Sequence, residues 1–329
     1  MARSDIALVV HIAGRDEALR YAVEDLRMDR WRTAQQLLHD SYGDWALRTF
    51  RSQVMGAVAA QSGAINAWCS ETPDDPDALM MRARVLTERA VAAGRRGLFG
   101  AELIDSIRVA RVACHAGAQR WPADPVPWVC LLTLARLDID QRAPHDSSHW
   151  AAAPEPMLPP GPWPLLDSVN KRHPRNREAH IRMLQVFEAR GRGGIDFARA
   201  VAAAAQPGSP LLLLPLYAYV ESYRLQLKNQ SGGVIAFWST ADKAHYVETA
   251  LYGWFAHHPD PARTCSPLDL NYLAYVLTVT GVGKAADVFE AIGPYATPAP
   301  WSLVNHDRNH WQDDFHVARR RALGKRSRR

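Results

Sequence analysis

The densest collection of groups able to do chemistry is the run NHDRNHWQDDFH over 305–316. On a helix, His306 and His310 would share one face with Asp313 or Asp314 near it, and two imidazoles with a carboxylate form a ligand set for zinc or iron. The run also follows a proline-rich stretch, where Asp307 or Asn309 would equally cap a last helix through Phe315. The capped terminal helix is the expectation, with no metal and no cofactor assigned. A second polar group, His245 with Tyr246 and Glu248, falls on one helix near Trp254 and could line a pocket. Core tyrosine and surface glutamate are the ordinary account of the same residues.

The segment 143–164 holds seven prolines, a density at which no helix continues, together with Trp150 and Trp163. A loop of this length is often functional. Its two tryptophans predict an ordered loop whose rings pack back on neighbouring helices. The candidate ligand-binding residues are therefore His245, Trp150, Trp163, His306 and His310. No catalytic residue is assigned: the chain has no GxSxG elbow, no HExxH, no GxxxxGK[ST] and no cysteine beside an evident base. His257-His258-Pro259 occupies a helix-ending corner, where the dipole favours histidine without any catalytic role.

The elements that must position these groups are announced by a recurring corner. In TPDDPDALMMRARVL (72–86), Asp75 can accept a first-turn N–H bond, and Pro76 at the first helical position lacks a donor that would be orphaned anyway. Leu79, Ala83, Leu86 and Ala90 then mark one face of the helix. The corner returns with Asp124-Pro125 and with Asn176, and Pro73, Pro122 and Pro174 stand 49 and 52 residues apart. Ser266-Pro267 makes a fourth start. Spacing of this order points to stacked helical hairpins. Upstream, Leu19, Ala22, Val23 and Leu26 face Ala34, Leu37 and Leu38 as a first hairpin, and a long helix is predicted over about 101–120. No alternating stretch of strand length occurs, so the fold class is all-α.

The module NYLAYVLTVTGVGKAADVFEAI resembles a tetratricopeptide hairpin. Leu273-Ala274 supply the large and small pair of that family's first helix, with Leu277 three residues on. Ala285, Phe289 and Ile292 repeat the spacing of its second helix, and Ala34 gives a similar opening near the N-terminus. The ending, Gly293-Pro294-Tyr295-Ala296-Thr297 with Pro300-Trp301, is similar to uncharacterised tetratricopeptide-like proteins of high-GC bacteria, in keeping with the excess of arginine over lysine. The resemblance implies a TPR-like α-solenoid or superhelix of antiparallel hairpins. It also implies protein or peptide binding on a helical surface.

Charge and cysteine usage narrow the setting. The net charge is +5, but 319–329 carries seven basic residues and no acid, so the rest of the chain stands at −2. A single helical-repeat domain over 1–318 with a solvated, disordered basic tail is expected, and only that tail offers nucleic acid or an anionic surface a partner. Four scattered cysteines, Cys69, Cys114, Cys130 and Cys265, read as free thiols. The apolar run 6–12 is interrupted by His11 and lacks a cleavage site, and the run 211–220 is too short for a membrane span, so a cytoplasmic protein is expected. The leading reading is a non-catalytic binding scaffold. The alternatives are an enzyme or small-molecule binder with a pocket edged by the proline-rich loop and the His-rich C-terminal segment, and an accessory protein tethered to nucleic acid by its basic tail.

Overall fold

The structure, a computed structural model, describes residues 6–137, 146–229, 234–305 and 308–326. Helices make up 70% of it. Among the described residues the sole β-type pairing is one isolated bridge, Ala151 with Gly161, so the chain is all-α as its sequence predicts. No described helix is long and apolar enough to cross a membrane. Where the sequence reading expects one domain over 1–318, contacts divide the chain into two compact units, Asp16–Asp196 and a second built from Met1–Arg15 with Phe197–Arg329.

The 16–196 unit runs α1 (Glu17–Arg27), α2 (Arg32–His39), α3 (Trp45–Ala59), α4 (Ala64–Glu71), α5 (Pro76–Arg95), α6 (Gly100–Arg120), α7 (Val126–Ala135), α8 (Trp163–Asn170) and α9 (Arg177–Ala189). Side-chain carboxylates and amides start these helices. Asp16, Asp44 and Asn176 each accept the backbone N–H three residues on, and Asp75 and Asp124 the one two residues on. The first helices of successive hairpins pack in order, α1 on α3, α3 on α5, α5 on α7 and α7 on α9, while α3 also reaches α9. A repeated latch joins the corners. Arg120 Nε donates to Asp74 O at 2.8 Å, and Arg172 Nε to Pro122 O at 2.6 Å, one hairpin back in each case.

Helix α5 departs from the single apolar face that its sequence suggests. It packs against α3, α4, α6 and α7, so Met80, Met81, Ala83, Val85, Ala90 and Val91 are all buried, and Leu79 and Leu86 only partly. Residues 146–164 form a 3-10 turn, Ser147–His149, and the bridge Ala151–Gly161. Residues 143–145 of the predicted loop lie outside the described residues; the described part lies on helical residues through Trp150 and Trp163. The Arg190 guanidinium covers the Trp150 ring at 3.8 Å, and Trp163 Nε1 donates to Pro159 O at 3.1 Å. Gly193, at φ +77°, leaves room for the Pro159 ring, which a Cβ would meet at 2.5 Å.

The boundary at Phe197 falls inside α10 (Gly194–Ala203), and the other unit continues with α11 (Leu214–Lys228), α12 (Val234–Trp238), α13 (Ala241–Glu248), α14 (Pro261–Thr264), α15 (Pro267–Thr280), α16 (Ala285–Ile292), α17 (Trp301–Val304) and α18 (Trp311–Arg326). Pro215 stands in the first turn of α11, after a 3-10 turn over Pro210–Leu213. Helix α15 is its axis: Asp269 to Leu277 are buried without interruption, against α11, α12, α13, α16 and α18. The hairpin α15–α16 coincides with the tetratricopeptide-like module, and Gly281 closes α15 in the left-handed region. The N-terminal segment joins this unit through Val9 N–H, which donates to Pro294 O at 2.8 Å, and Arg15, which donates to the α16 carbonyl of Ile292 at 2.9 Å.

The disordered basic tail is corrected in part. Helix α18 continues through Arg326. Trp311, Phe315 and Ala318 are buried at its start, with Phe315 edge-on to Trp301 and Phe289 at 5.5 Å each, and this anchored turn seeds a helix that Arg, Ala and Leu propagate readily.

Candidate functional site

The sequence-derived candidates fall on separate elements. Trp150 and Trp163 both belong to the proline-rich loop of the 16–196 unit, where they hold that loop down: Trp150 under Arg190, Trp163 against Phe187 at 5.8 Å. In the other unit His245 is exposed on α13 beside Tyr246, and His310 is exposed in the 3-10 turn Arg308–His310 that precedes α18. That turn leads directly into α18, which carries Asp313 and Asp314 in its first turn. His306 lies outside the described residues, and among those described no three His, Cys, Asp or Glu side chains are grouped to hold a metal.

Sequence periodicity missed the buried charges. On the inner side of α3, α5, α7 and α9, Arg48 Nη2 donates to Asp77 Oδ1 at 2.6 Å and to Asp124 Oδ2 at 2.7 Å, with Trp121 stacked on the guanidinium at 4.6 Å. Tyr42 OH donates to the other Asp77 oxygen at 3.0 Å. One turn further, Arg84 donates to both Glu178 oxygens at 2.7 and 2.6 Å, and Arg182 adds a bond to Oε1 at 3.0 Å. Burial alone would raise the Glu178 pKa; Arg84 and Arg182 outweigh it and hold the carboxyl below its ordinary value. At Asp77 burial prevails over Arg48 and Tyr42 and the pKa rises.

These groups answer one another's charges inside the unit. A readable signal existed: Asp77 and Glu178 both stand two residues after a cap, Asp75 and Asn176, inside otherwise apolar helices. The arrangement binds successive hairpins together.

An open site appears on the outer side of the α5–α6 hairpin. Helix α6 carries more apolar residues than one stripe can bury. Ile107, Ala110 and Cys114 face inward, while Ile104, Val109 and Val112 remain 41%, 43% and 64% exposed. Leu79 and Arg82 of α5 with Arg108, Val109, Val112, Ala113 and Ala116 of α6 line a pocket of about 200 Å³. That is below the roughly 300–1,000 Å³ of sites that enclose small molecules, and suited to one aliphatic side chain. Arg108 pairs with Asp105 at 3.1 Å across an exposed turn; Arg82 has no carboxylate within ion-pair distance among the described residues.

The chain matches no protein-family model, no curated protein and no solved structure.

The exposed valines and two guanidiniums of the α5–α6 surface offer apolar burial and charge recognition, and no nucleophile, base or acid lies among its lining residues.

Proposed function

We propose that the protein is a non-catalytic, TPR-like scaffold of helical hairpins that binds a protein or peptide, with the outer α5–α6 face as a docking point. The observation that carries this reading is the pocket lined by Val109, Val112 and Leu79, apolar and open to solvent on an otherwise well-packed hairpin. The ordered packing of first helix on first helix supports the repeat character. The inner side of those helices is filled by Arg48, Arg84 and Glu178, which turns attention from an inner groove to the outer helices. Four unpaired cysteines suit a reducing compartment such as the cytoplasm.

Site-specific photo-crosslinking tests this reading. A photoreactive residue at Val112 is expected to give one discrete adduct in native extract, lost on Val109→Glu, while the same residue at Tyr21, 71% exposed on α1, gives none. Equal or absent labelling at the two positions would remove the docking point.

A further inference from the structure

We infer that the α5–α6 face selects an acidic peptide segment with a single aliphatic anchor. The inference rests on the docking reading above and adds the chemistry of the occupant. Val112 stands at the centre of the outward face of α6, with Arg108 one turn before it and Ala116 one turn after. Val109 and Leu79 turn the pocket toward α5, so a side chain entering between the helices is held on aliphatic walls.

The charged side chains that line the pocket, Arg82 and Arg108, are both basic, and no carboxylate lines it with them. A guanidinium meets a carboxylate through a planar fork of donors, a stronger and more directional pairing than the carbonyls of a neutral peptide offer, and a lysine-bearing peptide is repelled. Burial of the anchor supplies affinity, while rim charges select the partner and speed the encounter.

Asp105 supplies an internal control. Its carboxylate already occupies Arg108 at 3.1 Å, and both side chains are about two-thirds exposed, at 67% and 66%. An incoming peptide carboxylate competes with Asp105 for the same fork. Such an exposed pair is weak, so it yields to a carboxylate delivered next to a buried anchor. Removing the Asp105 charge frees Arg108 and strengthens acidic peptides.

The test uses the full chain and a fluorescein-labelled peptide with one central leucine flanked by glutamates. Two counterparts carry lysines for the glutamates, or serine for the leucine. Fluorescence anisotropy is expected to show binding of the acidic leucine peptide alone. Arg82→Glu with Arg108→Glu weakens it about tenfold or more, Val112→Glu removes it, and Asp105→Asn tightens it several-fold. All these positions are on the surface, and unchanged thermal melts verify folding.

Equal binding of glutamate and lysine peptides, indifferent to the arginine substitutions, overturns the charge selection while the docking reading stands. Binding that ignores both the leucine and Val112 overturns the inference as unspecific charge attraction. Absence of binding by every peptide overturns it as well, and the docking reading then stands or falls on crosslinking at Val112.

Discussion

Arg84 on α5 holds both carboxylate oxygens of Glu178 on α9, at 2.7 and 2.6 Å, across 94 residues of chain and with both side chains buried. The helices it joins open hairpins that are not neighbours in the stack order, since α7 packs between them. Removing one partner of a buried pair strands the other charge, at a cost of about 3–5 kcal/mol. Glu178→Gln should lose that order of stability in urea unfolding at neutral pH. Replacing both residues, Arg84→Met with Glu178→Leu, should cost less than the two single changes added together.

The same pair sets an acid dependence. The folded pKa of Glu178 is depressed below its ordinary 4.5. Its stabilisation is therefore complete above the unfolded value and is lost as pH falls through the folded one. Between about pH 5 and pH 3, the wild type should lose more stability than Glu178→Gln. Parallel pH profiles would show that the carboxylate is not held by Arg84.

Arg48 predicts the opposite sign at Asp77. Its loss in Arg48→Met leaves Asp77 and Asp124 buried with no guanidinium between them, a deficit of about 3–5 kcal/mol at neutral pH, or a melting temperature lower by roughly 10 °C. Burial already raises the Asp77 pKa, and removing Arg48 raises it further. Asp77 then takes a proton more easily in the folded state, so the deficit of the variant should narrow as pH is lowered. Differential scanning calorimetry across pH reads this directly.

Gly56 on α3 is a contact-distance prediction. A Cβ there would lie 2.9 Å from the Cβ of Arg84, too close for two helices at their present separation. Gly56→Ala should destabilise by about 1–3 kcal/mol although alanine favours helix, with the urea midpoint as the measure.

The thiols should react in an order set by burial. Cys69 is half-buried; Cys114, Cys130 and Cys265 are buried, and burial pushes the Cys265 thiol up to about 12. Native protein treated with a maleimide should label Cys69 first, and all four only after unfolding. Labelling of Cys130 as fast as Cys69 would contradict the packing of α6 on α7.

The helices and their starts were legible because they depend on local chemistry. Asp75, Asn176 and Pro267 mark helix openings that the structure places at the same residues, and Trp150 and Trp163 announced a loop that packs. What depends on distant partners was not legible. Nothing local marks Arg84 or Arg48 as buried; the convergence of α3, α5, α7 and α9 encloses them. The attachment of Val9 and Arg15 to the end of α16 has no local signal either, and neither does the shift from α13 into a π-helical turn at Thr249–Trp254 within one predicted helix. For α6 only its length was predicted; which of its valines stay exposed is decided by the packing of α5 and α7.

Hydrogen–deuterium exchange with and without the acidic leucine peptide tests the central claim most directly. The account predicts slowed exchange confined to the stretches 79–83 and 104–116, the two sides of the Val112 pocket. Protection on the proline-rich loop or on α13 instead, with α5 and α6 unchanged, would contradict it.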